Sequence, residues 1–427
     1  MRAMKDSGIA WIGEIPEEWE LVKTRRFFSN HKQVVGEKVD KYERLALTMN
    51  GVIKRSKDDS DGLQPERFET YQILHKNELI FKLIDLENIK TSRVGLSPYT
   101  GLVSPAYIVL SSRFEDNRFF YYWFMFMYYN QVFNHLGGNG VRSALNAKDV
   151  LMLPVPNIQF PEQRRIAGYL DRKCSQIDAI IARQQEVIEK LKAYKLSVIT
   201  EAVTKGLTPH APMKDSGVEW IGEIPEQWEN RKMISILSMR VVDGPHESPE
   251  LYDEGIPYIS ATAVENGKIN FDLMRGYISE EYCNICDLRY KPQLHDILVI
   301  KLGASTGQVA IVETTDRFNI WVPLAAVRCN EKADPYFVYY AFQSDYFLKQ
   351  MEMSWTYGTQ QTLGVKSIER LRIMLPTLEE QKEIVCYLKS KCDSIDAAVK
   401  NKEILIDKLA DYKKSLIYEV VTGKKEV

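Results

Sequence analysis

The chain repeats itself, and the repeats run in a circular order. The segment MKDSGIAWIGEIPEEWE at 4–20 returns as MKDSGVEWIGEIPEQWE at 213–229, with 14 of 17 positions identical. A second, longer repeat opens at Glu162 with EQRRIAGYLDRKCSQID and again at Glu380 with EQKEIVCYLKSKCDSID. Its closing stretches, YKLSVITEAVTKG at 194–206 and YKKSLIYEVVTGK at 412–424, also correspond. Repetition this close means that each half is one structural unit built on the same frame. The stretches between match weakly: RFFYYWF at 118–124 faces YFVYYAF at 336–342, and ELIFKL at 78–83 faces DILVIKL at 296–302. The order is short box, variable segment, long helix, and then the same again. A frame held nearly constant around divergent inserts points to one shared partner and two different targets.

Residues 162–205 contain no proline and a single glycine, Gly168, while Pro161 stands before them and Gly206 and Pro209 after. These are the start and stop signals of one uninterrupted helix. A helix of about 44 residues rises roughly 66 Å, far more than one domain can cover, so its obvious partner is its own copy. The predicted seam runs Ile177, Ile180, Gln184, Val187, Leu191, Tyr194 and Val198. In the second copy it runs Ile395, Ala398, Lys402, Leu405, Leu409, Tyr412 and Leu416. Steps of three and four mark a coiled-coil seam. Ile181, Ile188, Val399 and Ile406 lie beside it and widen the stripe. The polar interruptions Gln184 and Lys402 either set the register or lie at an exposed edge.

The expected fold class is α+β. Two globular domains of mixed α/β structure are separated by two long helices that pair as an antiparallel coiled coil, with circular pseudo-twofold symmetry and neighbouring termini. The expected divisions are a first domain with its box at 1–158, a helical spacer at 159–208, a second domain with the repeated box at 209–376, and a second spacer at 377–427. Trp11, Ile12, Ile15 and Trp19 of the first box are expected to anchor it to a domain or a helix end.

Bulk properties say less. The 427 residues are 45% apolar and 27% charged with a formal net charge of -2, which does not favour a nucleic-acid partner. Residues 21–150 hold 19 Lys/Arg against 14 Asp/Glu, and residues 230–374 hold 15 against 18. Any DNA-binding face must therefore come from local clustering of cations. No leader segment and no membrane span is expected; the densest apolar run, FFYYWFMFMYY at 119–129, is too short to cross a bilayer and reads as a core helix. Six scattered cysteines suit a reducing, cytoplasmic setting.

Searching for chemistry yields little. No phosphate-binding Walker pattern occurs, and none of the six histidines lies in a metal-binding motif. The pair Cys283 and Cys286 has no close second pair to complete a zinc site. Cys174 and Cys392 occupy equivalent places in the repeat and are expected to be packing residues. The segment GASTG at 303–307 is either a tight turn or a cradle for phosphate. No catalytic, cofactor-binding or metal-binding residue is assigned. The candidate contacts to DNA are polar and basic residues in two loops and nearby strands. They are Asn139, Arg142 and Lys148 in the loop at 135–149, and Gln360, Gln361 and Lys366 in its counterpart at 354–372. Lys54, Arg55, Lys57, Lys82, Arg93 and Lys301 complete the set. Such side chains bond to base edges or phosphates, although a loop of this composition can simply connect sheet to helix.

The whole layout resembles the specificity subunit of Type I restriction–modification enzymes. The marks are WIGEIPEEW with WIGEIPEQW, the two helix openings, IKLGASTGQVAIV, GLVSPAY at 101–107 and YKLSVITEAVTKG. The resemblance implies a non-catalytic subunit with two target-recognition domains, each reading one half of a bipartite, asymmetric site in double-stranded DNA. It implies helices that set the spacing and dock two methyltransferase (modification) subunits, with restriction (motor) subunits able to join. S-adenosylmethionine, ATP and Mg belong to those partners. The seam residues are then also docking candidates. The alternative reading is a coiled-coil scaffold with two ligand-binding end domains.

Overall fold

The computed structural model describes residues 2–59, 67–86, 88, 91, 93–136, 144–357 and 360–427. By packing, the chain forms two compact units: Met1–Gln184 with Glu403–Val427, and Gln185–Lys402. Each unit takes half of each long helix.

The globular parts of the two units share a topology. In the first, a four-stranded sheet runs in the order Phe28–Ser29, Ile108–Ser112, Leu79–Phe81, Val94–Leu96. In the second, the matching sheet runs Val242–Asp243, Leu324–Val327, Ile297–Ile300, Val309–Ile311. All neighbours in both are antiparallel. The central strands are buried on both faces, which explains why they read as continuous apolar runs without alternation. A further sheet in each unit contains one parallel pair: Arg44–Thr48 with Gly101–Val103, and Ile256–Ile259 with Asn319–Ile320. Divergent sequences thus hold one fold.

The aromatic runs form core helices, Arg118–Tyr129 and Pro335–Gln343. Phe119, Phe120, Trp123, Phe124 and Phe126 are all buried. Arg118 and Tyr122 pin the first of these helices to the long helix through Asp171, at 2.5 and 2.8 Å. The second starts at Asp334, whose carboxylate accepts the Tyr336 and Phe337 amides, with Pro335 in the first helical position.

The long helices are Phe160–Lys205 and Leu378–Val421. Within each unit they run antiparallel. In the second unit Lys195 Nζ lies 2.6 Å from Asp396. Gly206, eleven residues further on, lies beside Glu380, sixteen residues back along the other helix. In the first unit Lys413 Nζ lies 2.7 Å from Asp178. These two ion pairs are equivalent under the repeat.

The covered stripe differs from the predicted seam. Ile177, Val198, Ile395 and Leu416 are buried, and Leu191, Leu409, Val187 and Ala398 are half-buried. Ile180, Tyr194, Leu405 and Tyr412 are exposed, Tyr194 and Tyr412 by 52% and 53%. Ile188 is buried in place of Val187, and Ile181 and Ile406 are covered better than Ile180 and Leu405. The covered positions therefore step 177, 181, 184, 188, 191, 195, 198. A wide apolar stripe allows either order of three and four, and the ion-pairing lysines 195 and 413 take the places read as Tyr194 and Tyr412. Cys174 and Cys392 are packed, and burial pushes both thiols up to about 11.

Each box folds as a hairpin, Met4–Asp6 with Glu14–Pro16 and Met213–Asp215 with Glu223–Pro225. Each also seats a buried tryptophan at a helix end. Trp228 packs at Gly206, and Trp19 at Gly423. Both glycines have positive φ, +72° and +74°, as expected where a helix terminates. The first box thus closes the end of the second helix. Tyr418 donates to the Ile12 carbonyl at 3.2 Å, so the two ends of the chain meet in one unit.

Candidate nucleic-acid interface

In both domains the loop after a central strand meets the loop before a short helix. The Leu145 amide donates to the Leu83 carbonyl at 2.9 Å, and the Leu363 amide donates to the Lys301 carbonyl at 2.8 Å. Both pairs are related by the offset of the helix repeat. The frame therefore joins the flanks of two divergent segments at the same place in each domain.

In the second domain these are the loop at 303–307 and the hairpin Thr356–Tyr357 with Gln361–Thr362. The Gly303 amide donates to the Gln361 carbonyl at 3.1 Å. The loop is a tight turn: Thr306 donates to Gly303 from both its amide and its hydroxyl, and Gly303 and Gly307 have φ of +91° and +96°. Gln360 is exposed, Gln361 half-exposed, and Lys366 exposed on the helix Val365–Arg370.

Lys301 does not present itself to a ligand. It is 6% exposed, and its Nζ lies 2.9 Å from Asp243. A lysine at the end of an apolar strand reads as a surface cation, but here a buried carboxylate from the strand two places across the sheet holds it inward. Asp243 also accepts a hydrogen bond from Arg289 and faces His246 at 3.3 Å. Burial alone would raise its pKa; Lys301 and Arg289 outweigh burial and hold it below the ordinary carboxylate value. Arg289 and His246 are the exposed members of this cluster. Neither stands out in the sequence, because only the fold brings them to Asp243.

In the first domain Lys54 and Arg55 lie on the strand Gly51–Arg55, with Lys57 just beyond. They line an open groove of about 500 Å³ together with Lys41, Tyr42 and Glu43. Lys54 pairs with Glu43 at 2.6 Å, a hydrogen bond that raises its pKa, and its ammonium stands 5.2 Å from the Tyr99 ring. Arg55 pairs with Asp59, and Lys57 donates to the Val39 carbonyl. Lys82 is half-buried with its Nζ 3.2 Å from Thr91 Oγ1, and Lys148 is exposed on the helix Ala147–Leu151. Asn139 and Arg142 lie outside the described residues.

Arg93, read from the sequence as a candidate DNA contact, is turned inward. It is 1% exposed and donates to the carbonyls of Lys82, Ile84, Asp85 and Asn88. Its five-donor fork organises the loop after the central strand, where the shorter loop of the second domain uses glycines. Burial lowers its pKa.

Cys283 and Cys286 are buried in the helix Glu280–Arg289. Among the described residues no group of three or more His, Cys, Asp or Glu is placed to hold a metal ion. No helix among them is long and apolar enough to cross a membrane.

Comparison with known proteins agrees with this layout. The family model described as "Type I restriction modification DNA specificity domain" matches residues 225–405. The putative type I restriction enzyme MjaX specificity subunit of Methanocaldococcus jannaschii is 26% identical over 447 residues, covering 97% of this chain and 95% of that protein. The chain is similar along its whole length to a Type I restriction enzyme specificity subunit. The type I restriction enzyme EcoBI specificity subunit of Escherichia coli is 28% identical over 303 residues, covering 64% of this chain and 62% of that one. A solved structure described as the structural basis underlying complex assembly and conformational transition of the type I R-M system superposes with a TM-score of 0.66. It covers 95% of this chain and 98% of that one at 15% identity, a likeness of fold. Specificity subunits of this family are non-catalytic and act in association with DNA and the other subunits of their complexes.

Proposed function

We propose that each globular domain reads one half of a bipartite, asymmetric site in double-stranded DNA. In this reading the paired helices fix the separation of the half-sites and dock two methyltransferase subunits, which carry S-adenosylmethionine; ATP and Mg belong to the restriction subunits. What supports it is one observation. Two domains share a sheet topology and a nearly identical frame, yet the loops gathered at one place in each are unrelated in sequence. A scaffold has no use for loops that diverge between two copies of one fold framed by nearly identical boxes. In the first domain Lys54, Arg55, Lys57, Lys82 and Lys148, with Asn139 and Arg142, are the proposed DNA contacts. In the second they are Gln360, Gln361 and Lys366, joined by Arg289 and His246. The exposed Ile180, Tyr194, Leu405 and Tyr412 are proposed for subunit docking.

The test is to map methylated DNA produced by the complex of this chain with its modification subunit. Exchanging residues 230–374 for the same segment of another family member is expected to change one half-site and leave the other intact. Change in both half-sites, or methylation without a bipartite motif, refutes the two-reader model.

A further inference from the structure

The second domain holds one half-buried arginine whose setting the fold does not explain. Arg231, Arg240, Arg289, Arg317 and Arg328 all have carboxylate partners, in Glu229, Glu369, Asp243, Asp287 and Asp296. Arg275 has no carboxylate partner among the described residues. Its guanidinium carbon lies 3.3 Å from the centre of the Trp321 ring. Nη1 is buried without an acceptor, and Nη2 reaches only Ser248 Oγ, at 3.4 Å. A charged donor removed from water and left unpaired is costly, so the stack alone is a poor return for this side chain.

Its surroundings place it beside the candidate interface. Trp321 donates from Nε1 to the Glu247 carbonyl at 3.1 Å. The segment 243–248 therefore runs from Asp243, which holds Lys301, to Ser248, which touches Arg275. Two residues past Trp321, the Pro323 carbonyl accepts the Lys301 amide at 2.8 Å. The backbone of Arg275 is itself fixed, its amide donating to the Tyr258 carbonyl at 3.0 Å. The stack, the Asp243 cluster and the loop at 303–307 thus form one continuous patch. At the position equivalent to Trp321 the first domain has Val103, so the feature belongs to one domain only.

We propose that Arg275, held flat on Trp321, reads a guanine in the half-site of the second domain; this rests on the two-reader model. A planar fork donates in parallel to guanine O6 and N7, the commonest specific arginine contact in the major groove. Stacking restrains the fork before DNA arrives, so less side-chain freedom is lost on binding.

The experiment uses the full chain with its modification subunits and a duplex carrying the mapped site. Each guanine of the half-site that changes on exchanging 230–374 is replaced in turn by 7-deazaguanine, which lacks the N7 acceptor. One position is expected to weaken binding roughly tenfold or more. In Arg275→Lys the same replacement is expected to have no further effect, with preference lost at that base pair and the other half-site unchanged. A charge-removing variant, Arg275→Met, that loses affinity equally on all sequences, with a shallower salt dependence, shows a phosphate contact and overturns the proposal. So does an unchanged motif. Should Arg275→Lys unfold the domain, the 7-deazaguanine scan on the unaltered chain still decides: no sensitive guanine in that half-site overturns it. Absence of any bipartite motif with the unaltered chain sinks the two-reader model instead.

Discussion

Gln163 and Gln381 occupy the same place in the repeat, one turn into each long helix, and both are buried. Their bonding differs. Gln381 donates from Nε2 to the Pro376 carbonyl at 3.0 Å and the Lys332 carbonyl at 3.2 Å, and its Oε1 accepts the Asp334 amide at 2.7 Å. Gln163 donates only to the Ile158 carbonyl at 2.9 Å, and its Oε1 is buried without a donor. Substituting leucine therefore has unequal consequences. In Gln381→Leu three hydrogen bonds disappear, each worth about 1 kcal/mol net, and the amide of a helix cap is left without an acceptor, for a total of about 3–4 kcal/mol. In Gln163→Leu one bond is lost, about 1 kcal/mol, but a buried unpaired oxygen goes with it, so the sum is about zero. Hydrogen exchange of the intact chain reads both changes separately. Amides of the helix Pro335–Gln343 are expected to exchange roughly several hundredfold faster in Gln381→Leu. Amides of Arg118–Tyr129 are expected to change by less than about tenfold in Gln163→Leu. Equal acceleration in the two variants would refute the reasoning, since it would mean that burial alone and not the bonding count sets the cost.

Arg93→Lys keeps the charge but loses the fork, and is expected to destabilise the first domain by about 3 kcal/mol in urea unfolding. In Arg93→Met, which removes the charge, the salt dependence of DNA binding should stay the same; a slope smaller by about one would mean that Arg93 touches phosphate. Asp243→Asn is expected to destabilise the second domain at pH 7. Because the Asp243 pKa is lower folded than unfolded, its contribution is complete above the unfolded value of about 3.9 and is lost as pH falls through the folded value. The gap between the two proteins in urea unfolding should therefore be constant from pH 7 to 5 and close below about pH 4; a constant gap at acid pH contradicts the assignment. For the exposed pair Asp178 and Lys413, each single reversal of charge is expected to cost less than about 1 kcal/mol and the double reversal to recover most of it. A double-mutant cycle without coupling would remove the pair from the account.

The frame was legible because its signals are local. Helix starts and stops, the box hairpins and the aromatic core helices depend on neighbouring residues, and the repeat doubled each signal. The choice between Tyr194 and Lys195 was not legible, because adjacent residues at a stripe edge have almost the same angular position and only the partner helix decides. Arg93 and Lys301 misled for a related reason: a cation reads as surface until a buried carboxylate or a ring of carbonyls is known to enclose it. Arg275, Arg289 and His246 are isolated in sequence and acquire meaning only through Asp243 and Trp321, brought near by strand pairing.

The first compact unit is assembled from residues 1–184 and 403–427, whereas the second is the continuous stretch 185–402. During synthesis the second unit has all its residues while the first still waits for its last helix half. Until then Ile166, Leu170 and Phe126, which pack in one core with Leu416, Ile417 and Val420, lack their cover. A chain broken off near residue 400 would carry a finished second domain and a greasy, unsealed first one, the kind of surface that chaperones and proteases recognise. The seal at Ile12, Tyr418 and Gly423 therefore makes a domain that opens early in the sequence depend on residues 406 positions later.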